Sequence, residues 1–255
     1  MKISEMLYDS AKYPFSGIKQ LLLLGLMLLV ISFLLGDYND IYFYVYNDFG
    51  PAALLSMIML FFLIVTILVI LEAGYTFKII EKSVQQIEKP PKLNGIISMF
   101  KHGFNEIIIA IIYFIVPFII LLGLLDEFFS QIDLGFPPIS DETAILLIIS
   151  AIILGFIADI IFTVAIPHMA SNGGKFKEAF NFPAIFRKIK KIGFKKLFIG
   201  YIIVILGIVL IGGPILKEIL ESANIFGFLV AEELLAPYII MFSARFTALI
   251  YMESL

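Results

Sequence analysis

The sequence predicts an all-α integral membrane protein, a bundle of six transmembrane helices. The 255 residues are 61% hydrophobic and only 15% charged, whereas a soluble domain is about 45–50% apolar and about 25% charged. Six apolar runs also reach or approach the roughly 20 residues that cross a bilayer. A soluble fold of this size could not bury so much apolar surface. Soluble enzymes and nucleic-acid-binding proteins are therefore excluded.

The predicted spans are continuous apolar runs, without the alternation that is typical of barrel strands. The fifth is short, and its flanking lysines can extend it by reaching the interface. The sixth contains Pro237 and Arg245, which interrupt the apolar run and make the ends of this span less distinct. In chain order the spans are Ile18–Leu35, Pro51–Leu71, Ile107–Leu125, Ala144–Ile166, Leu197–Ile211 and Leu234–Met252.

The basic residues predict the orientation, because cytoplasmic connections carry an excess of Lys and Arg. Of the 18 Lys and Arg residues, all but Lys217 and Arg245 lie in three segments. These are the N-terminal segment, the connection between the second and third spans, and the connection between the fourth and fifth. We therefore expect a multi-pass protein of the cytoplasmic membrane, with both termini and both basic connections in the cytoplasm.

Each of these basic segments also contains an amphipathic stretch, which is typical of helices in the plane of the membrane interface. Gly17, Gly103 and Gly193 mark the start of the hairpin that follows each stretch. We predict one membrane domain of three pseudo-repeats, about 1–86, 87–173 and 174–255, each an interfacial helix plus a hairpin. The apolar stripes are Ile3, Met6, Leu7 and Ala11; Leu93, Ile96, Ile97, Phe100 and Phe104; and Phe182, Ile185, Phe186, Ile189 and Ile192.

Several short motifs resemble a known family. They are Glu72-Ala73-Gly74-Tyr75 with Lys78-Ile79-Ile80, Tyr13-Pro14-Phe15, Phe104 at the start of a span, and Lys177-Glu178-Ala179-Phe180-Asn181-Phe182 with Ile185-Phe186 and Ile192-Gly193. With these motifs the chain resembles a prokaryotic, largely archaeal family of membrane proteins catalogued as domain of unknown function 4013 (DUF4013). The resemblance implies an integral membrane protein with six spans. It assigns no functional residues.

Three charged residues lie inside the predicted spans: Glu72, Asp159 and Arg245. A charge at the centre of a spanning helix costs about 2.5–3.5 kcal/mol and is a candidate functional residue. The repeat would bring all three to a similar depth, as one intramembrane charge cluster. In a structural interpretation, Arg245 neutralises an acid and fixes the helix register. In a functional one, the remaining negative charge binds a proton or cation in a transporter or channel.

The connection from Lys175 to Lys196 contains eight basic residues and one acid. Ordinary topology accounts for part of this excess. Anionic headgroups can account for the rest, since each basic residue near an anionic surface contributes about 1 kcal/mol. The residues that we predict to face anionic lipid are Arg187, Lys188, Lys190, Lys191, Lys195 and Lys196.

The sequence contains no recognisable catalytic or cofactor motif. It has no cysteine and only two histidines, His102 and His168, each of which we expect to be solvated or interfacial. The nucleophile elbow, the His-Glu-x-x-His motif and the dinucleotide fingerprint are missing. We therefore expect no enzymatic activity, no cofactor, no metal and no nucleic-acid partner. The sequence favours a lipid-engaging or membrane-organising protein whose partners are membrane lipids, with a transporter or channel for a small solute or cation as the alternative.

The predicted orientation can be tested by thiol labelling, because every introduced cysteine is the only one in the chain. An impermeant maleimide should label Asn47→Cys, in the connection between the first two spans, in intact cells. It should label Lys175→Cys only after the membrane is permeabilised. Labelling of Lys175→Cys from outside would contradict the orientation.

Overall fold

A computed structural model describes residues 1–36, 39–128, 141–207 and 231–255 of the chain. This part of the chain is helical and contains no strand. Two 3₁₀ turns lie at Pro14–Gly17 and Phe176–Phe180, and a π-helical turn lies at Ala231–Leu235. The helices are α1 (Ile3–Lys12), α2 (Ile18–Leu34), α3 (Asn39–Phe49), α4 (Pro51–Val84), α5 (Ile96–Phe128), α6 (Asp141–Ser171), α7 (Phe182–Ile192), α8 (Phe194–Gly207) and α9 (Ala236–Met252).

Five helical segments of the described chain are long and apolar enough to cross a membrane. They contain the second, fourth and sixth predicted spans and all but the last one or two residues of the first and third. The all-α class is confirmed. The fifth predicted span, Leu197–Ile211, begins in α8, but residues 208–211 lie outside the described residues. The count of six spans therefore stays a prediction. The five segments are Ile3–Leu34, Pro51–Val84, Ile96–Gly123, Glu142–Ser171 and Glu233–Met252.

The second amphipathic stretch does not form a separate interfacial helix, which corrects the prediction for that segment. Leu93 precedes α5, and the helix runs without a break from Ile96 through Gly103 into the apolar span. Gly103 does not end the helix because it lies against the backbone of α4: a Cβ there would come within 1.8 Å of the Ile70 carbonyl oxygen. The first and third stretches do form separate helices, α1 and α7.

The three marker glycines have different structural roles. Gly17 precedes α2 with a φ of −141°, and Gly103 lies inside α5. Gly193 separates α7 from α8 with a φ of +90°, a conformation that glycine adopts without steric cost. These glycines therefore give no support to the threefold repeat, which stays a prediction.

The buried core lies at the end of the bundle that carries the basic connections. In α4 the buried residues begin at Ile70, whereas earlier side chains such as Leu60 and Phe62 are exposed by 53% and 72%. The most enclosed helix is α9, which contacts α1, α2, α4, α6, α7 and α8. In the most apolar 18-residue stretch of its segment 50% of the residues are buried, against 11–17% in the corresponding stretches of the other four candidate spans. The wide apolar surface of those spans requires hydrocarbon as its solvent.

Helices α4 and α5 approach closely because glycines face each other's backbones. A Cβ at Gly74 would lie 1.8 Å from the Met99 carbonyl oxygen, and one at Gly103 would lie equally close to the Ile70 carbonyl oxygen. Small residues permit this approach between membrane helices. The contact places the polar residues of the two helices side by side.

Replacing Gly103 with alanine should destabilise the protein, because the new methyl group would meet backbone atoms that cannot rotate away. Overpacking of a core costs about 1–3 kcal/mol, so the thermal unfolding temperature in detergent should fall by several degrees. Gly123→Ala is the control, since its Cβ would meet no atom within 4 Å. Equal unfolding temperatures for the two variants would contradict the close contact.

Candidate functional site

Arg245 is a buried residue of α9, and its guanidinium binds Asp9 of α1. Its Nε donates to Asp9 Oδ1 at 2.7 Å and its Nη2 to Asp9 Oδ2 at 3.3 Å. Its Nη1 donates to the carbonyl of Ile87 at 3.0 Å, and its Cζ lies 5.0 Å from the centre of the Tyr13 ring. Arg245 thus joins α1, the connection after α4, and α9. This arrangement fits the structural interpretation, with an acid from outside the predicted spans as the partner.

Glu72 of α4 lies beside Glu106 of α5. The Thr76 hydroxyl donates to Glu72 Oε1 at 3.4 Å, and the two carboxylates are close enough to act on each other electrostatically. Glu106 Oε2 is shielded from solvent and has no hydrogen-bond partner among the described residues. The sequence analysis missed this pair, because the predicted third span begins at Ile107 and leaves Glu106 at the interface.

Asp159 of α6 lines a cavity between α6, α8 and α9. The cavity has a volume of about 170 Å³. Its polar lining consists of the Asp159 carboxylate and the hydroxyl side chains of Thr163, Tyr201, Ser243 and Thr247. The Tyr201 hydroxyl lies near the Asp159 carboxylate in this lining. The cavity therefore brings a carboxylate and four hydroxyl side chains together on a lining that is otherwise apolar.

The three charged residues of the predicted cluster belong to separate sets of contacts. Among the described residues no hydrogen bond or ion pair joins any two of Glu72, Asp159 and Arg245. Because Asp9 occupies the guanidinium of Arg245, that guanidinium does not neutralise either carboxylate. Of the three, Asp159 lines the cavity between α6, α8 and α9, and the other two do not.

The sequence defines the ends of α7 through two residues. The side chain of Asn181 accepts a hydrogen bond from the Ala184 backbone N–H at 3.4 Å, as helix N-caps do. Gly193 ends the helix. Between them Ile185 and Ile192 are buried against the protein, while Phe182 and Phe186 remain 42% and 51% exposed.

Half of the six basic residues predicted to face lipid also bind the C-terminal residues. Lys188 Nζ donates to the Ser254 carbonyl at 3.1 Å, and Lys191 Nζ donates to Leu255 O at 2.9 Å. Lys196 Nζ lies 2.6 Å from Glu253 Oε2. Hydrogen bonds from Lys196 and from the amino group of Met1 hold the pKa of Glu253 below its usual value.

The other three basic residues are Arg187, Lys190 and Lys195. All three are exposed. None of them has a hydrogen bond or ion pair with any residue that the structure describes. They are the members of the predicted lipid-facing set whose charge is free to meet a ligand.

Both histidines lie in contacts that the sequence analysis did not foresee. His168 is buried, and its Nδ1 lies 3.0 Å from the Tyr251 hydroxyl. Its Nε2 lies 3.5 Å from Glu178 Oε2. His102 stacks on Phe77 with the ring centres 4.6 Å apart. The expectation of two solvated or interfacial side chains is therefore wrong for His168, because α9 covers it.

The described residues bring no cluster of metal ligands together. No group of three or more His, Cys, Asp or Glu side chains there could hold a metal ion together.

A protein-family model matches residues 57–217, more than half of the chain. The family is described as Protein of unknown function (DUF4013), the family that the sequence motifs resemble. No curated protein and no solved structure matches the chain significantly.

Replacing Asp9 with asparagine should destabilise the protein, because Arg245 cannot lose its charge and would remain buried without a counter-ion. A hydrogen bond to a charged group contributes about 1.5–3 kcal/mol, and the partial exposure of Asp9, 37%, places the loss near the lower end. Chemical unfolding in detergent micelles measures it. Asp48→Asn is the matched control, since Asp48 is exposed. An unfolding free energy unchanged in both variants would rule out a stabilising role for this pair.

Proposed function

We propose that this chain, which belongs to the family Protein of unknown function (DUF4013), is a non-enzymatic membrane protein that engages anionic lipid headgroups through one face of α7 and the start of α8. The observation that supports this role is the division of the basic residues. Arg187, Lys190 and Lys195 are exposed and unpaired with described residues, whereas their neighbours bind the end of the chain. The headgroup-binding surface is defined as these three basic residues together with Phe182 and Phe186.

The order of residues around α7 suits a helix at the membrane interface. Successive residues of an α-helix are about 100° apart, so Phe182, Phe186 and Lys190, spaced by four, follow one line along the helix. Arg187 lies on the neighbouring line, away from the buried Ile185 and Ile192. One flank of α7 therefore packs on the protein, and the other presents aromatic rings next to basic groups. Rings of this kind reach the acyl chains while Lys and Arg reach the phosphates.

The lysines that bind the C-terminal residues support the same proposal indirectly. Lys188 and Lys191 hold α7 against Ser254 and Leu255. A surface held in its binding orientation before the ligand arrives loses less conformational entropy on binding. These lysines therefore position the exposed flank.

The proposed role also requires a particular topology. We propose six spans with both termini in the cytoplasm, which places α7 at the inner leaflet of the cytoplasmic membrane. Contacts between Lys188, Lys196 and residues 253–255 bring the C-terminal residues to the same end as α7. We also propose that α1 lies in this interface, since its Tyr8 is 63% exposed and Lys12 lies over its ring.

The triple variant Arg187→Gln, Lys190→Gln and Lys195→Gln should lose the preference for anionic lipid. At about 1 kcal/mol per basic residue, the three together contribute about 3 kcal/mol, or about two orders of magnitude in affinity. Native mass spectrometry of the detergent-purified protein, titrated with phosphatidylglycerol or phosphatidylcholine of equal chain length, measures the preference.

The matched control removes the same charge elsewhere on the same predicted side: Lys89→Gln, Lys92→Gln and Lys101→Gln, all exposed residues. This control should keep the preference for phosphatidylglycerol. A preference that survives in the variant of Arg187, Lys190 and Lys195, or that falls equally in the control, would show that these residues are not the recognition surface.

A further inference from the structure

We propose that the cavity around Asp159 is a binding site for a monovalent alkali cation such as Na⁺. The site is independent of the lipid-facing surface of α7. Its proposed ligands are the Asp159 carboxylate and the hydroxyl oxygens of Thr163, Ser243 and Thr247. Tyr201 lines the same cavity, with its hydroxyl near the carboxylate.

The four-residue spacing of these side chains along their helices brings the ligands together. Asp159 and Thr163 are four residues apart and therefore lie on the same face of α6. Ser243 and Thr247 are also four residues apart, on one face of α9. Both faces line the same cavity, which α8 closes with Tyr201. Three helices thus direct oxygen-bearing side chains to one point within the bundle.

The hydroxyl groups of the cavity differ from those of other candidate spans. Ser56, Thr66 and Ser150 each donate to the carbonyl four residues earlier, at 2.8, 2.7 and 2.8 Å. This bond satisfies a hydroxyl in an apolar environment. Thr163, Ser243 and Thr247 make no such bond and no other hydrogen bond with a described residue. The three side chains are part-buried around one carboxylate, so their hydroxyl oxygens are free to coordinate a ligand in the cavity.

The charge of the site favours a monovalent ion. Asp159 has no cationic partner among the described residues, because the nearest basic residue along α9, Arg245, is bound to Asp9. One carboxylate balances one positive charge, whereas protein sites for Ca²⁺ gather several carboxylates and carbonyls. Apolar residues such as Leu197, Val204 and Phe246 form the rest of the lining. They lower the local dielectric constant, so the attraction between carboxylate and cation is stronger than in water.

Such a site is the first requirement of the alternative function, transport of a small solute or cation. It replaces the predicted cluster of Glu72, Asp159 and Arg245 by a site built around Asp159 alone. Intramembrane carboxylates that face a cavity are a common feature of ion pathways. The test therefore addresses binding, which precedes any question of flux.

The experiment compares thermal unfolding of the detergent-purified protein in LiCl, NaCl, KCl and choline chloride at equal ionic strength. An alkali cation should raise the unfolding temperature above that in choline, because a ligand that binds only the folded state stabilises it. Asp159→Asn should abolish the difference. Thr163→Val and Thr247→Val should each weaken the apparent affinity by about tenfold or more, which is about 1.4 kcal/mol.

Thr66→Val and Ser56→Ala are the matched controls, because they remove intramembrane hydroxyls that bond to their own helix. Both should respond to the cation as the wild-type protein does. Direct binding of ²²Na⁺ in a scintillation proximity assay gives a second readout that does not depend on stability. If Asp159→Asn does not fold, the Thr163→Val and Thr247→Val variants decide the question.

Three results would overturn the proposal. The first is equal unfolding temperatures in all four salts. The second is a cation effect that persists in Asp159→Asn, since the ion would then bind elsewhere. The third is an equal loss of the effect in Thr66→Val and Thr247→Val, which would show that removal of any intramembrane hydroxyl has the same consequence.

Discussion

The structure depends first on hydrocarbon as the solvent around most of the chain. In a bilayer every backbone polar group must be satisfied within the protein, which leaves helices as the structure for such apolar runs. The same solvent permits side chains such as Phe62 to remain exposed where water would not. The helices therefore need not bury their apolar faces on one another along their whole length. A compact core at one end of the bundle is sufficient, and that end carries the polar contacts.

Within that core, the buried Arg245 determines which acid is paired. A buried guanidinium stays ionised, so it requires an acid, and Asp9 supplies one from α1. This pair fixes α1 against α9, and no cationic group of the described residues pairs with Asp159. The carboxylate is instead surrounded by hydroxyl groups in a cavity. The unpaired carboxylate and the paired arginine are thus two consequences of one packing arrangement.

The basic connection shows a similar division of roles. Lys188, Lys191 and Lys196 bind backbone and carboxylate oxygens of residues 253–255. Arg187, Lys190 and Lys195 remain available to phosphate groups outside the protein. Positive charge on one side of a membrane protein is usually attributed to topology alone. In this chain half of the predicted lipid-facing set contributes to tertiary structure, and the other half forms the surface that we propose to bind headgroups.

Composition and periodicity by themselves determined that the chain is helical and membrane-embedded, where the main apolar runs begin, and that α1 and α7 form. Those features follow from hydropathy and from helix-ending signals such as Gly193, which are local. Only the tertiary structure decided which faces meet: Asp9 with Arg245, Glu72 with Glu106, and Asp159 with two residues of α9. These partners are far apart in sequence, or belong to helices whose rotation hydropathy does not specify. Tertiary structure also explains Gly103 inside α5. The backbone of α4 lies so close that no side chain fits there, and the local sequence does not specify this contact.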